Sequence, residues 1–307
     1  MPIKVSVQKI RGFTYKLRNA GGGLVTILSF GYLGYILTSN WSQLISYEWR
    51  INWCQIALAF IYYSFSLILA VLGWGLIVSH FTQVKGLRKH LKYYTYTNLL
   101  RRLPIPLLYL LGRVYLYERE GIAKSVMVTV SFLEWILIVL SGIMIYLVTS
   151  PYLPLPRVWL SLRFLVVIFI ASAFLLHPRT IRAIFRAILG QKGRTVLAEF
   201  GYSDALICLI IYGLVWIGGG MMLYATINSL YILSLAYLPA VIGAWVLSGV
   251  ITTLVFATAA GLGVKELTLG LLLGYIIPSP LAIAIALLMR VCLIVFDILW
   301  GVVALKL

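Results

Sequence analysis

Long apolar runs alternate along this chain with short basic or proline-bearing breaks. Most runs approach or exceed the ~20 residues that cross a hydrocarbon core as a helix. Those at 22–39, 51–80, 124–148, 158–176, 204–224, 238–256 and 282–305 predict seven crossings. Two other apolar segments are broken. Residues 99–111 contain Pro104 and Pro106, while 258–277 hold Gly261 and Gly263 and end at Pro278-Ser279-Pro280. Irregular backbone at membrane depth persists only where protein or water satisfies its polar groups, so both segments read as re-entrant. Residues 179–189 place Ile181, Ile184, Phe185 and Ile188 on one helical face and Arg179, Arg182 and Arg186 on the other. Such a helix lies flat on an anionic leaflet. The expected fold is all-α: a polytopic integral membrane helix bundle with about seven crossings and two re-entrant segments.

Composition agrees with a membrane class. Hydrophobic residues make up 62% of the 307 and charged ones only 11%, against about 25% charged in soluble domains. Residues 1–20 form a basic cytoplasmic segment, and 21–307 form one transmembrane domain. Regions 85–150 and 245–307 share a faint internal repeat: a broken segment, a glycine-plus-basic turn (Gly112-Arg113; Gly263-Val264-Lys265), then a long helix with one deep charge. Paired broken segments in two halves point to a transporter's binding site.

The net charge of +17 is explained by loops on one side, without nucleic acid. Lys4 to Arg18, 85–124 and Arg179 to Arg194 carry most of the basic residues. The positive-inside rule places these loops and the N-terminus in the cytoplasm, in a multi-pass protein of the cell membrane. Anionic lipids supply the counter-charge. Cys54, Cys208 and Cys292 stand alone, without the spacing of a disulfide frame or metal site. His80, His90 and His177, together with Tyr93, Tyr94 and Tyr96, read as groups at the membrane boundary.

The chemistry lies in the charges that remain. Of eight acidic residues, Glu134, Glu266 and Asp297 fall inside apolar segments, and Arg290 lies in the last one. A charge at the bilayer centre costs roughly 2.5–3.5 kcal/mol on insertion scales, so such groups pair or face a polar path. Glu266 is the expected direct partner of Arg290, with Lys265, Asp297, Glu134 and Arg113 around the same cavity. Static clamping of helices is the alternative for these pairs. Arg101 and Arg102 are candidates for holding a lipid phosphate at the surface, as are Arg179, Arg182 and Arg186. The chain contains no Gly-x-Ser-x-Gly elbow, P-loop, His-Glu-x-x-His or Asp-x-Asp pair. It reads as a non-enzyme without cofactor or metal.

The order Pro104, Gly112-Arg113, Gly121, Leu133-Glu134, His177-Pro178-Arg179, Gly261-Leu262-Gly263-Val264-Lys265-Glu266 and Arg290 resembles the lysylphosphatidylglycerol synthase transmembrane family. That family includes the flippase region of the multiple-peptide-resistance proteins and stand-alone members. The resemblance covers about 20–305. It departs at Ala260, where the family commonly has Pro-Gly-Gly ahead of Leu-Gly-Val, and at Lys265, where it has Arg. It implies a flippase-like transporter for an anionic phospholipid or a polyprenyl-phosphate-linked lipid, without the aminoacyltransferase domain that makes lysyl-lipid. The alternative is a non-catalytic subunit of a larger membrane complex, partnered by a separate glycosyltransferase or aminoacyltransferase chain. Oligomeric assembly stays open.

Overall fold

The structure, a computed structural model, describes residues 31–35, 38–39, 41–47, 50–82, 84–102, 107–154, 201–254 and 263–306. Among them it is all-helical, with α1 (Trp41–Ser46), α2 (Trp53–Phe81), α3 (Leu87–Arg101), α4 (Leu108–Glu118), α5 (Lys124–Thr149), α6 (Tyr202–Asn228), α7 (Leu238–Leu254), α8 (Val264–Leu273) and α9 (Ser279–Leu305). Five helices are long and apolar enough to cross a membrane: α2, α5, α6, α7 with its preceding 3-10 turn, and α9. The expected crossing at 158–176 and the surface helix at 179–189 lie outside the described residues, as does most of 22–39.

Local chemistry sets the helix ends. The Asn52 side chain accepts from the Gln55 amide at 3.3 Å and opens α2, and Asp204 holds the Gly201 amide at 2.9 Å to open α6. Both follow the N-cap rule that a side-chain oxygen satisfies an orphan amide. Pro278-Ser279-Pro280, expected as a break, closes the gap between α8 and α9, and α9 begins inside it at Ser279. A proline in the first helical turn lacks only an amide that would have no helical partner, so it starts the helix.

Small residues let the long helices close up. A Cβ on Gly220 of α6 would lie 2.8 Å from the Ile242 Cα of α7, and one on Gly142 of α5 would lie 2.7 Å from Val250. Lipid offers little hydrophobic drive between helices, so close backbone approach of this kind holds the bundle. The Asn52 amide donates to the Ser229 carbonyl at 2.8 Å, and His80 lies 3.3 Å from Asp204. Thus α2 and α6 run antiparallel, and their paired ends define the two ends of the bundle.

The first broken segment is a hairpin. Helix α3 packs antiparallel along α2, with Gly75 against the His90 ring, Trp74 beside Tyr94, and Tyr63 sharing Asp297 with Arg102. Helix α4 then returns, bringing Arg113 to Thr97, Tyr117 to His90 and Glu120 to Lys89. The hairpin therefore enters from the Phe81 end, reaches mid-bundle and goes back. Leu107, at the start of α4, has φ 61°, a left-handed conformation that costs a non-glycine residue roughly 1–2 kcal/mol.

Helix α8 approaches from the other end. It runs antiparallel to α9, pairing Glu266 with Arg290 and Gly270 with Ile283. Further along, α9 passes Arg102 at Asp297, Leu99 at Gly301 and Tyr96 at Ala304, reaching the Phe81 end. The N-terminus of α8 therefore lies mid-bundle, facing the inner tip of α3.

Candidate functional site

Where these two tips meet, a cavity of about 250 Å³ opens between the middles of the long helices. Its polar wall comes from Arg101 and Arg102 at the end of α3, Lys265 and Glu266 at the start of α8, and Arg290 of α9. Tyr63, Tyr94, Tyr212, Trp216 and Trp245 supply aromatic faces, and Leu67, Met222, Leu269 and Leu293 are among the apolar ones.

Glu266 is fastened on both oxygens. Oε1 accepts from Arg290, and Oε2 accepts from the Gly263 amide at 2.9 Å. The carboxylate thereby neutralises the positive end of α8 as well as the arginine. Gly263 has φ 81°, a backbone setting that glycine adopts without a Cβ penalty. The direct Glu266–Arg290 contact is the one expected from the sequence. Lys265, its neighbour, forms no ion pair among the described residues: its Nζ sits 3.6 Å from the centre of the Trp245 ring.

Asp297 is buried and also doubly held. Tyr63 donates to Oδ1, and Arg102 Nε donates to Oδ2 at 2.5 Å. It does not line the cavity, which it reaches only through Tyr63 and Arg102. Arg102 was expected, with Arg101, to hold a lipid phosphate at the surface; at the end of α3 it bonds to an acid 195 residues away. Arg101 also lines the cavity, its guanidinium 5.6 Å from the Tyr109 ring. Arg179, Arg182 and Arg186 lie outside the described residues.

Arg113 and Glu134 were expected around the same cavity, and the structure sets them behind it. They pair with each other at 3% and 4% exposure. Arg113 lies 4.2 Å from the Trp74 ring centre and 4.4 Å from that of Tyr94, and Tyr212 reaches Glu134 at 3.5 Å. Tyr94 and Tyr212 separate this pair from the cavity. Gly112-Arg113 is likewise no turn, since both residues fall within α4.

Two expected boundary groups are interior. Tyr94 is 5% exposed beneath Arg113, and His90 is 3% exposed. Tyr117 accepts from Trp74 Nε1 at 2.8 Å and lies 2.7 Å from His90 Nδ1. In the Nε2–H tautomer of neutral His90, Nδ1 accepts from the Tyr117 hydroxyl. Burial lowers the imidazole below its ordinary value. Outside this core, Lys89 and Tyr93 both hydrogen-bond Glu120 and hold its carboxyl below the usual range.

Tyr63, Trp245 and Tyr212 were not anticipated as site residues. Their signal was weak: each is one aromatic among many in an apolar run, and only the long-range partner marks it.

Compared with known proteins, the chain matches no family model and no curated protein.

Proposed function

We propose that this protein is a flippase-like transporter that passes the headgroup of an anionic lipid, a phospholipid or a polyprenyl-phosphate-linked lipid, through the mid-bundle cavity. The observation that carries this reading is charge. Arg101, Arg102, Lys265 and Arg290 line the cavity, while among the described residues only Glu266 and Asp297 are in place to balance them. An excess of cations among apolar helices favours an anion, and ionisable groups at this depth default to function.

The wider arrangement agrees. The α3–α4 hairpin and α8 act as re-entrant elements entering from opposite leaflets, with 22–39 and 158–176 completing seven crossings. Basic loops place the N-terminus and the Phe81 end in the cytoplasm of a cell-membrane protein. The resemblance to the lysylphosphatidylglycerol synthase transmembrane family supports the same cargo class.

The test is reconstitution of the full chain in liposomes with a fluorescent anionic lipid in both leaflets and a membrane-impermeant quencher outside. Faster loss of the protected fraction than in protein-free vesicles, abolished by Arg101→Gln/Lys265→Gln, is the expected result. Equal rates with and without protein would overturn transport by the isolated chain. Obligate co-purification with a glycosyltransferase or aminoacyltransferase would then favour a subunit role.

A further inference from the structure

The cavity's charges specify more than the sign of its ligand. Each of the six acids among the described residues faces a basic group: Glu118 with Lys124, Glu120 with Lys89, Glu134 with Arg113, Asp204 with His80, Glu266 with Arg290 and Asp297 with Arg102. No described carboxylate remains for Arg101 or Lys265, the two cavity cations that lie over aromatic rings. Moreover, every oxygen of Glu266 and Asp297 already accepts a hydrogen bond. The site therefore offers two uncommitted cations and no uncommitted anion.

We infer that the cavity selects a lipid ending in a phosphomonoester, held between Arg101 and Lys265, and disfavours headgroups that carry an amine. This rests on the lipid-headgroup reading above and narrows it. A phosphomonoester carries about −1.5 to −2 charges at pH 7 with three acceptor oxygens, which matches two cations. A phosphodiester brings one charge and leaves one of the two unbalanced. An ammonium on the headgroup would find only occupied carboxylates and would face Arg101, Arg102, Lys265 and Arg290. Trp245 and Trp216 flank the same space, so a ring or chain next to the phosphate meets an apolar wall. Leu67, Met222 and Leu293 continue that wall, giving the lipid form of the ligand contacts that inorganic phosphate lacks.

The experiment is displacement of a fluorescent phosphatidic acid from the full-length protein in nanodiscs of neutral lipid. Unlabelled phosphatidic acid, phosphatidylglycerol, phosphatidylethanolamine and inorganic phosphate serve as competitors. Phosphatidic acid should compete about tenfold better than phosphatidylglycerol, the difference made by one charge-assisted contact. Phosphatidylethanolamine should be weakest of the lipids. Arg101→Gln and Lys265→Gln should each bring phosphatidic acid down to the level of phosphatidylglycerol, while Lys265→Arg retains the preference. If Lys265→Gln fails to fold, judged by its melting temperature, Arg101→Gln at the end of α3 carries the same comparison. Equal competition by phosphatidic acid and phosphatidylglycerol would overturn the inference and leave an anionic-lipid transporter standing. Equal competition by inorganic phosphate would overturn the lipid source. Failure of every lipid to compete would instead overturn the lipid-headgroup reading itself.

Discussion

Arg290 and Glu266 join the middle of a 27-residue helix to the first turn of a 10-residue one. Arg113 and Glu134 make the corresponding link between α4 and α5 with the charges exchanged: there the short helix carries the arginine and the long helix the acid. The two pairs differ in setting. Glu266–Arg290 forms part of the cavity wall, whereas Arg113–Glu134 is enclosed by Trp74, Tyr94 and Tyr212. The same bond therefore lines the proposed path in one place and only holds helices in the other.

That difference separates two sets of variants. Removing one partner of a buried pair leaves an uncompensated charge and costs about 3–5 kcal/mol, so Glu266→Gln and Arg290→Gln should both lower the melting temperature. The apolar double variant Glu266→Leu/Arg290→Met should recover the fold yet fail to move lipid in the liposome assay. Full transport by that double variant would assign the pair to clamping alone.

For Arg113 and Glu134 the expectation is reversed. Arg113→Met/Glu134→Leu should recover both fold and transport, because neither side chain faces the cavity. Arg113→Lys should not be benign: an ammonium loses the planar stack between two rings, worth about 1–2 kcal/mol. Melting curves of the three proteins decide this, and a stable but transport-dead double variant would bring the pair back into the path.

Helix packing and the site meet at Gly219. A Cβ there would collide with the Trp245 indole, the ring on which Lys265 rests. Gly219→Ala should therefore destabilise by about 1–3 kcal/mol, as overpacking does, and also weaken phosphatidic acid binding. Gly142→Ala, which crowds Val250 and Trp216, should lower stability with a smaller effect on binding. Equal binding losses in the two variants would disconnect Trp245 from the ligand.

Much of this architecture was legible in the sequence because the apolar runs have spanning length. Helices α2, α5, α6, α7 and α9 begin and end within a few residues of the expected bounds. The Glu266–Arg290 contact was also legible, since two opposite charges in neighbouring apolar segments have few other partners. What was not legible depends on contacts between distant segments. The basic stretch at 85–96 and the first residues of the broken segment after it form a single helix, α3, which ends at Arg101, because packing against α2 overrides the change in composition. Arg102 and His90 looked solvated for the same reason. Their partners are Asp297, 195 positions from Arg102, and Tyr117, 27 positions from the buried His90, and no local spacing encodes either.

The His90–Tyr117–Trp74 chain gives the fold a pH dependence. Burial is the main cause lowering the His90 pKa below 6.5; the Lys89 charge adds to it, and a backbone hydrogen bond involving Val84 opposes it. A group with a lower pKa in the folded state binds fewer protons there than when unfolded. Its contribution to stability is thus complete above about pH 6.5 and is lost as the pH falls through the folded-state value. Protonation would also make Nδ1 a donor, so that the Tyr117 hydroxyl must turn its own proton away from the ring. The melting temperature of the wild-type protein should therefore fall between pH 6.5 and pH 5, and His90→Gln, which keeps an acceptor without a titrating group, should flatten that slope. Glu120 titrates in a separate window: Lys89 and Tyr93 hold its pKa below the ordinary 4.5, so its share of stability is lost only at more acid pH. Equal slopes for wild type and His90→Gln above pH 5 would assign the dependence to some other group.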